Sequence, residues 1–152
     1  LQDAGPPRSG SVTLFRLSCS TASEAMSTKY LYWGSTGLLA LFMLASGVLY
    51  FTAESMAANF ARLGFPDYFR VQLGVAKVLG ALALVVPLPR SLKEWTYAGF
   101  GISFVSAIVA HTAVGDPLTS VVPPLVALFL WGWSYATYHQ YVLTVQAASG
   151  KA

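Results

Sequence analysis

Between residues 31 and 138 the chain alternates long apolar runs with short polar breaks. Runs at about 31–51, 69–86, 95–114 and 121–138 each approach the ~20 residues with which a helix crosses a ~30 Å hydrocarbon core. Almost no polar face interrupts any of them, which argues against buried helices of a soluble domain. Pro87 and Pro89 stop the second run, and Gly115-Asp116-Pro117 separates the third from the fourth. Pro123 and Pro124 fall in the expected first turn of the fourth helix, where a missing N–H costs little. Residues 55–63 form a short amphipathic stretch, expected to lie along the membrane interface and closed by the turn Gly64-Phe65-Pro66. The pattern predicts an all-α fold, a membrane four-helix bundle.

The flanks read differently. Residues 1–25 are rich in Ser, Thr, Gly and Pro, and Met26 opens a normal-looking start just ahead of the first span. They are expected to be a disordered N-terminal extension, ahead of a transmembrane domain over 26–142 and a C-terminal tail over 143–152.

Composition narrows the function classes. The chain is 55% hydrophobic and 10% charged, against roughly one quarter charged in soluble domains. The net charge of +3 comes from few, scattered basic residues that flank apolar segments. They suit membrane-surface anchoring, and no nucleic-acid partner is expected. A single cysteine, Cys19, excludes disulfide frameworks and CxxC pairs within one chain. Nucleotide-loop, zinc-protease and hydrolase motifs do not occur, and no cofactor follows from motif content.

An even number of spans puts both termini and the loop at 87–94 on one side. That side carries Lys29, Arg90, Lys93 and Lys151, with Arg8 and Arg16 upstream, whereas the other carries Arg62 and Arg70. The excess of positive charge places both termini in the cytoplasm. Tyr30, Tyr32, Trp33, Trp95, Tyr97, Trp133, Tyr135 and Tyr138 are then expected to form an aromatic belt at the cytoplasmic interface.

One charge lies well inside the apolar runs. Lys77 is seven residues beyond Arg70, roughly 10 Å in from the outer end of the second helix. Glu54, His111 and Asp116 fall at the same end of the bundle, and these four side chains form the candidate polar site. The inner half is expected to hold no ionisable group of comparable depth. Lys77 shares a face with Gly74 and Ala81, while His111 ends a stripe of Gly99, Ser103 and Ala107. Small residues at that spacing let helices approach, so these faces are expected to pack against protein. A metal site is not expected, because one histidine and loop carboxylates offer too few fixed ligands.

Arg62-Leu63-Gly64-Phe65-Pro66-Asp67-Tyr68-Phe69, followed by Leu73-Gly74-Val75-Ala76-Lys77-Val78-Leu79-Gly80, resembles the DoxX-like family of small bacterial membrane proteins. So do Leu92-Lys93-Glu94-Trp95-Thr96-Tyr97-Ala98-Gly99-Phe100 and Ala110-His111-Thr112-Ala113-Val114-Gly115-Asp116. The resemblance implies four transmembrane helices and a bacterial inner-membrane address. It matches Lys77 to the lysine of a Gly-x-x-Lys element and His111 to a histidine before a Gly-Asp turn. Many relatives carry a lysine shortly after the glycine near the end of the first helix; here Gly47-Val48-Leu49-Tyr50 has tyrosine. The wider group is associated with quinone-linked sulfur oxidation and with membrane complexes for redox stress, through partner subunits. The expected role is a non-catalytic subunit or assembly factor with a protein partner or a second copy of itself. The alternative is a quinone-linked redox component, and a proton-coupled transporter is disfavoured for want of a mid-membrane carboxylate.

Overall fold

The structure is a computed structural model that describes the backbone of residues 9–149 and the side chains from residue 26 on, Ala148 excepted. It contains five helices over the described residues: α1 (Ser9–Thr52), α2 (Glu54–Arg62), α3 (Asp67–Val85), α4 (Arg90–Ala113) and α5 (Leu118–Ser149). Four helical stretches are long and apolar enough to cross a membrane: Met26–Thr52, Asp67–Val85, Arg90–Ala113 and Leu118–Ala147. They coincide with the four runs read from the sequence, and α2 is the amphipathic stretch between the first two. The chain is a multi-pass membrane protein with a four-helix bundle.

Two boundaries depart from expectation. Residues 9–25 continue α1 toward its N-terminus, and residues 1–8 and 150–152, with Arg8 and Lys151, lie outside the described residues. At the other boundary, α5 begins at Leu118, so Pro123 and Pro124 stand inside the helix rather than in its first turn. Neither proline has an N–H for the carbonyl four residues back, those of Thr119 and Ser120. The early start follows from Ser120, whose N–H reaches the Pro117 carbonyl at 2.9 Å and closes a first turn ahead of the apolar run.

Two turns share one device. After α2, the Gly64 N–H bonds the Ala61 carbonyl and the Phe65 N–H bonds the Phe60 carbonyl; after α4, Gly115 bonds Thr112 and Asp116 bonds His111. Each pair is a Schellman closure, which needs a left-handed residue just past the helix. Gly64 (φ 81°) and Gly115 (φ 71°) supply it without the Cβ penalty.

The helices close a ring in which α1 packs on α3 and α5, α4 packs on α5, and the α3–α4 seam is the lightest. Each contributes one stripe at three- and four-residue intervals, the seam of left-handed helix packing. On α1 the stripe is Tyr32, Thr36, Leu39, Met43, Ser46 and Tyr50; on α3, Gly74, Lys77, Ala81 and Leu84. On α4 it is Lys93, Tyr97, Phe100, Phe104, Ala107 and His111; on α5, Ala127, Trp131, Ser134 and Tyr138. Leu39, Met43, Leu84, Tyr97 and Phe104 fill the middle.

Gly74 and Ala81 are buried on the α3 stripe, and Ser103 and Ala107 are half-buried toward the bundle. Gly99 meets no other helix of this chain among the described residues. It is exposed, with nothing within 4 Å of where a Cβ would stand. Four-residue steps drift around a 3.6-residue helix, so Gly99 and His111 stand about 120° apart. Close approach occurs instead at Gly80, against the Phe100 ring, and at Gly101, against Trp131.

Candidate functional site

At the α2 end of the bundle the four stripes part around a cavity of about 690 Å³. Its walls come from α1, α3, α4 and α5, and α2 with the following turn roofs it through Met56, Asn59, Phe60 and Phe65. Lys77, His111, Ser103 and Ala107 line it; Glu54 and Asp116 do not.

Lys77 turns toward α1. Its Nζ donates to Ser46 Oγ at 2.8 Å and stands 3.9 Å from the centre of the Tyr50 ring. Ser46 and Tyr50 are one turn apart on the α1 stripe, so both reach the same point on α3. The Tyr50 ring face attracts the ammonium. Among the described residues no carboxylate lies within ion-pair distance of Lys77.

Glu54 is therefore not a partner of Lys77. It opens α2, exposed, where a negative charge suits a helix N-terminus. Depth alone suggested convergence; the side chain's direction around the helix decides against it.

His111 and Asp116 do meet. The Schellman closure folds Asp116 back over the last turn of α4, and its Oδ2 lies 2.6 Å from His111 Nδ1. Arg62, at the end of α2, clasps the same carboxylate through Nη1 and through Nη2, the latter at 2.9 Å. Although it sits in a short loop, the Asp116 side chain is only 3% exposed. The Arg62 guanidinium, helped by His111, holds its carboxyl down to about 2, and the carboxylate in turn raises Arg62. The arrangement latches α2 to the α4–α5 turn across the cavity roof. A second tie links α3 to α1: Arg70 donates to the Tyr50 carbonyl and, at 2.7 Å, to Asp67.

The sign of the pH effect follows. A carboxylate held below its usual range contributes stability above pH ~4 and loses it as pH falls toward ~2. The thermal midpoint of the detergent-solubilised protein should thus drop over that window, and the drop should be shallower in Asp116→Asn. Identical slopes for the two proteins would remove the latch from the account.

The opposite end of the bundle also holds buried polar groups. Lys93, counted above only as a loop charge, is 7% exposed. It donates to Tyr32 Oη at 2.9 Å and to the Leu84 carbonyl at 3.0 Å. That carbonyl is among the last of α3 and has no later helical N–H to meet, so Lys93 caps α3 from α4. Deeper, Ser134 Oγ lies 3.0 Å from Thr36 Oγ1 and 2.9 Å from Tyr97 Oη, and Ser35 pairs with Thr137 at 2.6 Å. Trp131 packs flat against Tyr135 and donates to the Tyr97 carbonyl at 2.8 Å.

Three of the eight residues of the expected aromatic belt thus face inward. Tyr32, Tyr97 and Tyr138 are buried and in ring contact, while Tyr30, Trp33, Trp95 and Trp133 stay exposed as belt residues. The missed signal was the three-and-four spacing that puts Lys93 in register with Tyr97, Phe100 and Phe104.

No curated protein and no solved structure matches the chain. The sequence profile of the DoxX-like family matches residues 34–133, a stretch that includes Ser46, Tyr50, Lys77, Lys93 and His111. The chain therefore belongs to the DoxX-like family.

Proposed function

We propose that this protein is a non-catalytic subunit of a bacterial inner-membrane complex, and that it holds a small amphiphile in the α2-end cavity for a partner protein. The observation that carries the reading is the cavity itself, whose size falls in the usual ~300–1,000 Å³ range of small-molecule sites. Its wall is mostly apolar and aromatic, with a few polar groups including Lys77 and His111. The lysine and arginine distribution supports an orientation with both termini in the cytoplasm, which puts the cavity on the periplasmic side.

A second reading, a quinone-linked component, has one observation on its side, that Lys77 and His111 share the wall. The residues fit such a group: apolar walls for ring and tail, and an ammonium that donates to a carbonyl oxygen. When bound, a quinone would supply two-electron carrier chemistry. This chain's part would be to bind and orient it, with electrons coming from a partner oxidoreductase.

Purification from native membranes in mild detergent tests the reading. Organic extraction should release an apolar small molecule near one per chain, and a partner protein or a second copy should co-purify. Protein that arrives alone, with only bulk lipid in the extract, overturns it.

A further inference from the structure

The charges around the cavity do not balance. Asp116 is taken by Arg62 and His111, Arg70 is paired with Asp67, and Glu54 is exposed off the wall. Lys77 remains as a wall cation with no counter-charge among the described residues. A charge placed among apolar groups is costly unless an opposite charge or water meets it.

The donors at that point are also uneven. Ser46 occupies one proton of the Lys77 ammonium and Tyr50 covers it with a ring face. An ammonium has three protons, so others remain to be given. The Ser46 hydroxyl, accepting from Lys77, keeps its own proton as a second donor beside the first. Two adjacent donors, one of them charged, suit the two oxygens of a carboxylate.

Beside these donors and the polar side chains of Asn59, Ser103, Ser106, His111 and Ser120, the wall has an apolar part that suits a chain. Phe42, Met43, Phe69, Leu73, Phe104 and Ala127 offer only carbon and sulfur. Access is lateral: Ile102 lines the cavity yet is 69% exposed on the outer surface of α4. In a bilayer that surface of α4 would face lipid.

Resting on the reading that the cavity holds an amphiphile, we infer that its ligand is a single-chain, long-chain carboxylate, which enters from the bilayer and is bound through Lys77 and Ser46. A neutral ring or alcohol of the same length leaves the ammonium uncompensated. A charge-assisted hydrogen bond is worth enough to give about ten-fold or more in affinity.

The test uses the full chain in phosphatidylcholine nanodiscs, titrated with palmitate, hexadecanol and a short-tailed ubiquinone. Palmitate should bind saturably near one per chain, about ten-fold or more tighter than the two neutral compounds. Lys77→Met should lose that preference and Lys77→Arg should keep most of it. Lys29→Met, which removes a lysine outside the cavity, should behave as the unaltered protein, and thermal melts establish that each variant is folded. Equal affinity for hexadecanol or ubiquinone, or undiminished palmitate binding by folded Lys77→Met, overturns the inference. Saturable ubiquinone without palmitate binding rejects the carboxylate and leaves the cavity reading standing. No saturable binding of any of the three rejects both.

Discussion

Replacing Gly80 with leucine is expected to destabilise the bundle by about 1–3 kcal/mol, while the same change at Gly99 should be close to neutral. A Cβ at position 80 would stand 2.5 Å from Phe100 Cζ and 2.9 Å from Cε1. Phe100 is itself buried in one core cluster with Phe104, Ala81 and Leu84, so the added side chain must displace a packed ring or push α3 from α4. That seam is already the lightest in the ring, and in lipid its strength rests on close packing rather than on a hydrophobic drive. At Gly99 the added side chain meets open space, and leaving glycine out of a helix recovers about 1 kcal/mol of propensity. Unfolding in mixed detergent micelles, followed by circular dichroism, compares the two. Equal losses at both positions would mean that α4 is rotated from the orientation described.

Lys93→Met should be costly at the other end of the molecule. The substitution keeps most of the volume but leaves the Leu84 carbonyl and the Tyr32 hydroxyl without their donor. A buried polar group left unmet costs about 1–3 kcal/mol. Removing the hydroxyl as well, in Lys93→Met with Tyr32→Phe, should recover part of the loss, because only the carbonyl then stays unpaired. A double-mutant cycle on unfolding free energy reads that coupling directly. Lys93→Met as stable as the unaltered protein would show that the lysine is a surface charge after all.

The two substitutions also show what was legible in the sequence. Span number, order and approximate limits were readable, because a membrane helix must satisfy its backbone internally and carry apolar side chains all round. The direction of each side chain was harder. Lys77, Gly74 and Ala81 share a face that is readable in the sequence, because three- and four-residue steps over one short stretch hardly drift. Gly99 was misplaced because three successive four-residue steps do drift.

Lys93 was missed for a different reason. A charge beside two prolines reads as loop by hydropathy, and only its register with Tyr97, Phe100 and Phe104 shows that it points inward. Glu54 was grouped with Lys77 on depth, which says nothing about azimuth. The latch was half visible: Gly115-Asp116 signalled a turn, and His111 stood at the right distance before it. Arg62 is 54 residues from Asp116, and no local pattern announces that they meet. The helical start at Leu118 was hidden because Thr119 and Ser120 lower the hydropathy of what is structurally the first turn.

The central claim is that Lys77 turns into the bundle, against Ser46 and Tyr50, rather than out to the lipid headgroups. Solid-state NMR on the protein in liposomes, with ¹⁵N-lysine and ¹³C-tyrosine, measures this most directly. The expected result is a through-space contact between the Lys77 ammonium and the Tyr50 ring, lost in both Lys77→Arg and Tyr50→Leu, with the separate Lys93–Tyr32 contact unaffected. A Lys77 ammonium that instead shows contacts to lipid phosphate, unchanged by Tyr50→Leu, would contradict it.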